Sequence, residues 1–253
     1  MKYLVLVLVS TFLLGSIARA EDHIWSKQGT VLSFFQGYEG IGHVKPSRVY
    51  SPDHQKYVLL DFKADKGDGA TIPDVAIPVV SIIAGKLTIP VDLDEEWVQV
   101  EVLWSPDSKN LALTGAFNAY TNSTKILHLT ADGSQATPLG ELQKNMALLY
   151  PPCKALDALT DVCNADEDGV SFNYATVVWA NPHTVVIMAE VPCSSSQGGI
   201  MCQVAGYELD TRTGRIANRM TARQLKQRWQ SSLAFNLRIP TPPEWKKAAQ
   251  ANH

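Results

Sequence analysis

The sequence predicts an all-β protein built from repeated antiparallel hairpins, and three observations carry that prediction. An apolar run ending in an aromatic, a proline-containing turn and a second apolar run recur three times. They are Val49-Tyr50-Ser51-Pro52-Asp53 before Tyr57-Val58-Leu59-Leu60, Leu103-Trp104-Ser105-Pro106-Asp107 before Leu111-Ala112-Leu113-Thr114, and Val178-Trp179-Ala180-Asn181-Pro182 before Val185-Val186-Ile187-Met188. A further apolar run ending in a glycine turn follows each one, at Gly85, Gly133 and Gly214, with aromatic-to-glycine offsets of 35, 29 and 35 residues. Finally, 45% hydrophobic and 19% charged residues describe an ordinary globular chain, not a disordered one.

Each element has a local cause. Proline presets φ for a turn, and the neighbouring Asp or Asn bonds the nearby backbone. Two apolar runs flanking such a turn read as a β-hairpin. Glycine at the later turns is expected to supply positive φ. The aromatics are spaced unevenly, by 54 and then 75 residues, where a regular four-stranded unit takes about 40–50. The excess reads as inserted loops, one holding Cys153 and Cys163 and one holding Asp65-Lys66-Gly67-Asp68-Gly69. Residues 23–44, with Ile24-Trp25 and Val31-Leu32-Ser33, offer material for additional strands.

The Trp104-Ser105-Pro106-Asp107 turn and its following strand resemble the repeat of TolB-type, WD40-like (PD40) bacterial β-propellers. The segment from Tyr207 through Asp210 to Gly214 is similar to the outer strand and turn of such blades. The resemblance spans about residues 45–216. Tyr50 changes its aromatic, and Trp179-Ala180-Asn181-Pro182 loses the Ser-Pro-Asp order. It implies a propeller-like arrangement of meander blades, with the aromatics before the turns filling the space between blades. Three recognisable units are fewer than the four blades of the smallest closed propellers, so the ring is expected to be incomplete or irregular. A β-sandwich of the same hairpins is the alternative.

The termini read differently. Met1-Lys2-Tyr3, an apolar run from Leu4 to Leu14 and Ala18-Arg19-Ala20 form a secretory signal peptide over residues 1–20, cleaved near Ala20. The apolar run is too short to span a membrane, and no longer one follows. Residues 21–220 are expected to form the β domain. A C-terminal helical extension then covers 221–253, opened by a capping box at Thr221 and Gln224, with Leu225 and Trp229 on one helix face. Thr241-Pro242-Pro243-Glu244 starts a further short turn, with Trp245 to dock it.

Export implies the periplasm or secretion, an oxidising setting in which Cys153, Cys163, Cys193 and Cys202 are expected to form disulfides. Three pairings are open. The shortest loops come from Cys153–Cys163 with Cys193–Cys202. Zinc is the rival reading, but the tight cysteine pairs it favours are absent.

The chain has 22 Lys+Arg against 25 Asp+Glu, and no basic stripe marks a nucleic-acid partner. No G-x-S-x-G, H-E-x-x-H or phosphate loop occurs. Ser194-Ser195-Ser196-Gln197-Gly198-Gly199 reads as a loop tip. Asn164-Ala165-Asp166-Glu167-Asp168-Gly169 resembles the front half of a calcium loop. Side-chain oxygens of Asn164, Asp166 and Asp168 and the carbonyl of Val170 would be the Ca2+ ligands, although Ala175 replaces the closing Glu of an EF-hand. An acidic solvated turn is the alternative. Asn122-Ser123-Thr124 matches a glycosylation acceptor, which carries little meaning in the bacterium that the signal peptide and repeat suggest.

The functional expectation is an exported, non-enzymatic module that binds another envelope or secreted protein. One version is an inhibitor or immunity protein that plugs an envelope hydrolase. The alternatives are a periplasmic hydrolase or lyase, with a site assembled from loop carboxylates or histidine, and a purely structural domain.

Overall fold

The computed structural model describes residues 25–33, 47–64, 76–92, 97, 99–116, 122–147, 173–190 and 204–239. These residues form three antiparallel sheets and two helices. Sheet 1 is the meander β2 (Ser47–Tyr50), β3 (Lys56–Ala64), β4 (Ala76–Ala84) and β5 (Leu87–Pro90). Sheet 2 is the meander β6 (Gln99–Trp104), β7 (Asn110–Ala116), β8 (Asn122–Leu129) and β9 (Ser134–Ala136), with β1 (Thr30–Ser33) added antiparallel to β6. Sheet 3 is the meander β10 (Asn173–Asn181), β11 (Thr184–Glu190), β12 (Val204–Asp210) and β13 (Arg215–Thr221). Helix α1 (Gly140–Ala147) follows sheet 2 and α2 (Ala222–Trp229) follows sheet 3. The architecture is therefore mostly β, and the three expected hairpins are β2–β3, β6–β7 and β10–β11.

The first two hairpin turns share one hydrogen-bond pattern. Ser51 N–H donates to Lys56 O at 2.9 Å, and Ser105 N–H donates to Asn110 O at 2.9 Å. Each serine hydroxyl donates to the aspartate two residues on and accepts the N–H five residues on. The fourth residue of each turn is left-handed, His54 at φ 57° and Ser108 at φ 59°. Both serines are buried, so their hydroxyls stand in for water on the turn's inward groups. The third hairpin turns instead on Pro182 and His183, with His183 N–H donating to Asn181 Oδ1.

Sheet contacts sheet through the aromatics before these turns. Trp104 Nε1–H donates to Val49 O of sheet 1 at 3.2 Å, and Trp179 Nε1–H donates to Leu103 O of sheet 2 at 3.1 Å. Val49 and Leu103 both precede the aromatic of their own unit, so one relation takes sheet 1 to sheet 2 and sheet 2 to sheet 3. The turns are linked as well. Asp53 N–H donates to Ser108 Oγ, and Asn110 Nδ2–H donates to Pro182 O. Tyr50 departs from the expectation. It is 46% exposed and lies against Tyr57 and His54 instead of filling space between sheets. The reason is position: no sheet precedes sheet 1 among the described residues.

Two cores result. Val58, Leu60, Val80 and Ile82 of sheet 1 meet Val100, Val102, Leu111 and Leu113 of sheet 2. Leu103, Ala112 and Ile126 of sheet 2 meet Val185, Ile187, Tyr207 and Leu209 of sheet 3. The far face of sheet 3 is closed by α2 and the segment after it, with Leu225, Leu233 and Leu237 packed on Val186, Met188 and Met220. The capping box at α2 is present in full, Thr221 and Gln224 each bonding the other's backbone N–H. Gly85 and Gly214 have φ 61° and 69°, as expected of turn glycines. Gly133 is not in that region, because its turn closes by Thr130 N–H donating to Gly133 O and Thr130 Oγ1–H to Asp132. Helix α1 has no counterpart in the sequence reading.

Trp104→Ala, which empties an inter-sheet site, is expected to cost about 3–5 kcal/mol in a denaturant titration. Tyr50→Ala at the equivalent but exposed position should cost less than about 1 kcal/mol. Equal losses would contradict the different surroundings of the two aromatics.

Candidate functional site

The connectivity separates two ends of the sheets. At one end lie the short turns, at residues 51–55, 85–86, 105–109, 130–133, 182–183 and 211–214, tied across sheets by the bonds above. Thr211 N–H adds a bond to His183 O, and Thr137 Oγ1–H one to Thr211 O. At the opposite end the strands part into the other connections, three of which are longer than any of these turns. Segment 65–75 leaves at the paired ends Ala64 and Ala76, and 117–121 leaves at Ala116 and Asn122. Segment 191–203 leaves at Glu190 and Val204, and 148–172 enters beside them at Asn173, since Asn173, Glu190 and Val204 are register neighbours.

Most of the sequence-derived site residues belong to those connections. Cys153, Cys163, Cys193 and Cys202 lie outside the described residues, as do the calcium candidates Asn164, Asp166, Asp168 and Val170. So do the signal peptide through Ala20, the Ser194–Ser196 run and Trp245. What the structure adds is that the strand ends from which both cysteine-bearing segments depart are adjacent on sheet 3. Among the described residues no three His, Cys, Asp or Glu side chains gather as a metal site, and no helix is long and apolar enough to cross a membrane.

One titratable group stands apart, and the sequence reading missed it. Glu101 in β6 is 1% exposed. Its two carboxylate oxygens accept consecutive backbone N–H groups, Oε2 from Trp25 at 3.0 Å and Oε1 from Ser26 at 2.9 Å. The site is built by β1 and its preceding turn, which run along the free edge of β6 with Glu101 opposite Val31. Gly29 leaves the room: a Cβ there would lie 2.1 Å from Glu101 Oε1 and 2.6 Å from its Cγ. On its other side Glu101 is paired with Thr114 of β7. The Thr114 hydroxyl lies 3.0 Å from those of both Thr124 and Thr176, forming a buried polar row between sheets 2 and 3. Burial pushes the Glu101 carboxyl up to about 7, against the two N–H donors that favour its charged form. An acidic residue in an alternating strand has no mark in sequence that it points inward.

The remaining groups are tied to structure. The Ser51 hydroxyl, outweighing the cost of burial and aided by Gln55 N–H and Lys56, lowers Asp53 to about 2. Arg212 holds Asp210 at about 2. Burial raises Glu190 above the usual carboxylate range. A cavity of about 310 Å³ between β13 and α2 is lined by Asn218, Met220, Gln224, Gln227 and Arg228, with Arg228 paired to Glu208 at 2.8 Å. Amides and one engaged cation provide no nucleophile or base. No family model matches the chain, and no curated protein matches it either.

Glu101 sets a sign for stability. Its folded value near 7 lies above the ordinary 4.5, so the folded state holds the proton more tightly than the unfolded state. That contribution is full below pH about 4.5 and is lost as pH rises through 7, by roughly 3 kcal/mol. Denaturant titrations from pH 4.5 to 8 should show this loss in the wild type and not in Glu101→Gln. Parallel curves would show that the carboxyl is not what titrates.

Proposed function

We propose that the chain is an exported, non-enzymatic protein-binding module of the bacterial envelope. The signal-peptide pattern ending near Ala20 supports a location in the periplasm or outside the cell. Its three sheets are blades of an incomplete propeller-like stack, and its partner is another envelope or secreted protein. The repeated indole-to-carbonyl contact supports the stacking. Sheets 2 and 3 each reach back to the same backbone position of the sheet before, an offset expected of repeated neighbouring blades. The observation that carries the binding reading is the division of the sheets into two ends. Tied turns make one end rigid, and the longer connections leave together at the other, an arrangement that suits recognition by loops on a fixed scaffold.

The composition of those connections selects the partner's chemistry. Segment 148–172 carries Asp157, Asp161, Asp166, Glu167 and Asp168 against Lys154 alone, and 65–75 carries Asp65, Asp68 and Asp74 against Lys66. A basic protein surface complements them, an envelope hydrolase with a cationic cleft included. Disulfides among Cys153, Cys163, Cys193 and Cys202, together with Ca2+ at Asn164, Asp166, Asp168 and Val170, would stiffen the connections and reduce the entropy lost on docking.

The mature chain from Glu21, immobilised and exposed to an envelope extract, should retain one stoichiometric basic protein that high salt releases. A variant with Asp65, Asp68, Asp74, Asp157 and Asp161 changed to their amides should retain much less of it. Capture indifferent to both changes, or turnover of a hydrolase substrate that purifies with the chain, would displace the reading. For the metal, EDTA should lower the melting temperature and added Ca2+ restore it. An unchanged melt ends the calcium proposal and leaves the binding reading standing.

A further inference from the structure

The N-terminal segment 25–33 is held on two sides. Strand β1 pairs with β6 from Thr30 opposite Val102 to Ser33 opposite Gln99, and Leu32 is buried in the core between sheets 1 and 2. Lys27 N–H donates to Ser232 O at 2.9 Å, Ala234 N–H donates to Trp25 O at 3.0 Å, and the Trp25 ring meets Phe235 edge-on at 5.8 Å. Between these attachments the Glu101 carboxylate takes the N–H groups of Trp25 and Ser26. The strand is short, and its partner on β6 is a strand edge that only this segment covers among the described residues.

We propose that residues 25–33 form a releasable strap over the edge of β6, seated in acid and loosened toward alkaline pH, with Glu101 as its gate. Closed, the strap buries a carboxyl that has no cation beside it among the described residues. Open, it leaves Glu101 in water at an unpaired strand edge. A buried carboxyl holds its proton to higher pH than a solvated one, so opening releases a proton in the window between the two values. Raising pH therefore shifts the balance toward the open form.

In the strap the charged group is Lys27, whose side chain is exposed. On β7 and β8 the row beside Glu101 consists of Thr114 and Thr124, and Lys125 lies on the other face over the Trp97 ring. On β10 Thr176 joins the row, and Tyr174 is the titratable neighbour. Segment 232–237 has no titratable side chain. Burial and the N–H groups of Ser26 and Trp25 account for the Glu101 shift, and no charged side chain contributes to it. An open β6 edge would present free N–H and C=O groups, able to pair with an extended segment.

Hydrogen exchange on the mature chain, corrected for intrinsic rates, tests the strap. Protection of the β1 amides should fall by up to roughly 300-fold between pH 4.5 and 8, while the β7 amides stay more protected throughout. The midpoint should coincide with the titration of the Glu101 carboxyl carbon followed by NMR. Glu101→Gln should make β1 protection independent of pH. Flat β1 protection in the wild type, a fall of equal size in Glu101→Gln, or β1 and β7 amides exchanging at one common rate would overturn the proposal. If the variant does not fold, a mismatch between the carboxyl midpoint and the β1 midpoint in the wild type overturns it instead.

Discussion

The structure depends on one contact used twice: the indole N–H before a hairpin turn, donated to the carbonyl that precedes the aromatic of the neighbouring sheet. Both indoles are buried at these contacts. A buried N–H without an acceptor costs about 1–3 kcal/mol, so the bond selects one sliding position of sheet on sheet from the many that apolar packing alone tolerates. The apolar faces of Val58, Leu60 and Ile82, or of Val185, Ile187 and Leu209, supply area but little register. The turn-to-turn bonds then follow from the same offset, because each turn begins directly after its aromatic. A Phe in place of Trp104 or Trp179 would keep most of the area and lose the pin.

That division explains what could be read in the sequence. Hairpins were legible because their determinants are local: apolar runs, a serine and an aspartate at fixed spacing, a proline between them. The capping box at Thr221 was legible for the same reason. What depended on distant neighbours was not. Tyr50 occupies the same place in its unit as Trp104, yet its exposure follows from the lack of a preceding sheet, which no feature of its own segment encodes. Gly133 sits where Gly85 and Gly214 sit, but a threonine and an aspartate had already closed its turn. Helix α1 buries Leu142 completely with few apolar residues, too weak a pattern to distinguish from a polar connection. Glu101 was illegible because its meaning lies in Trp25 and Ser26, about 75 residues away, and in the missing side chain of Gly29.

The two ends of the stack are treated differently. Beyond sheet 3, helix α2 places Leu225 over Met188 and Met220, and the chain continues along the same face through Leu233 and Leu237. Stacked units need such a cap, because a terminal sheet otherwise leaves an apolar face in water. Strand β1 solves a different problem: it covers not a face but an edge, pairing the free backbone groups of β6. The two devices are joined, since the segment before β1 bonds residues 232 and 234 directly after α2. The N-terminal and C-terminal segments thus secure each other across sheets 2 and 3.

At that junction a carboxylate is an expensive choice. A neutral amide at position 101 would accept one N–H, fill almost the same volume and avoid burying a charge. Glutamate instead makes the seating of the N-terminal segment depend on a proton, in a fold whose other strongly bonded acids, Asp53 and Asp210, lie at exposed turns and are pushed the opposite way. Those two stay ionised across the whole range in which Glu101 changes. A pH change near neutrality therefore acts on the carboxyl at the edge of β6 while Asp53 and Asp210 keep their charge. A short segment of this kind opens at less cost than the whole fold, which is where a small energy difference has the largest effect on population.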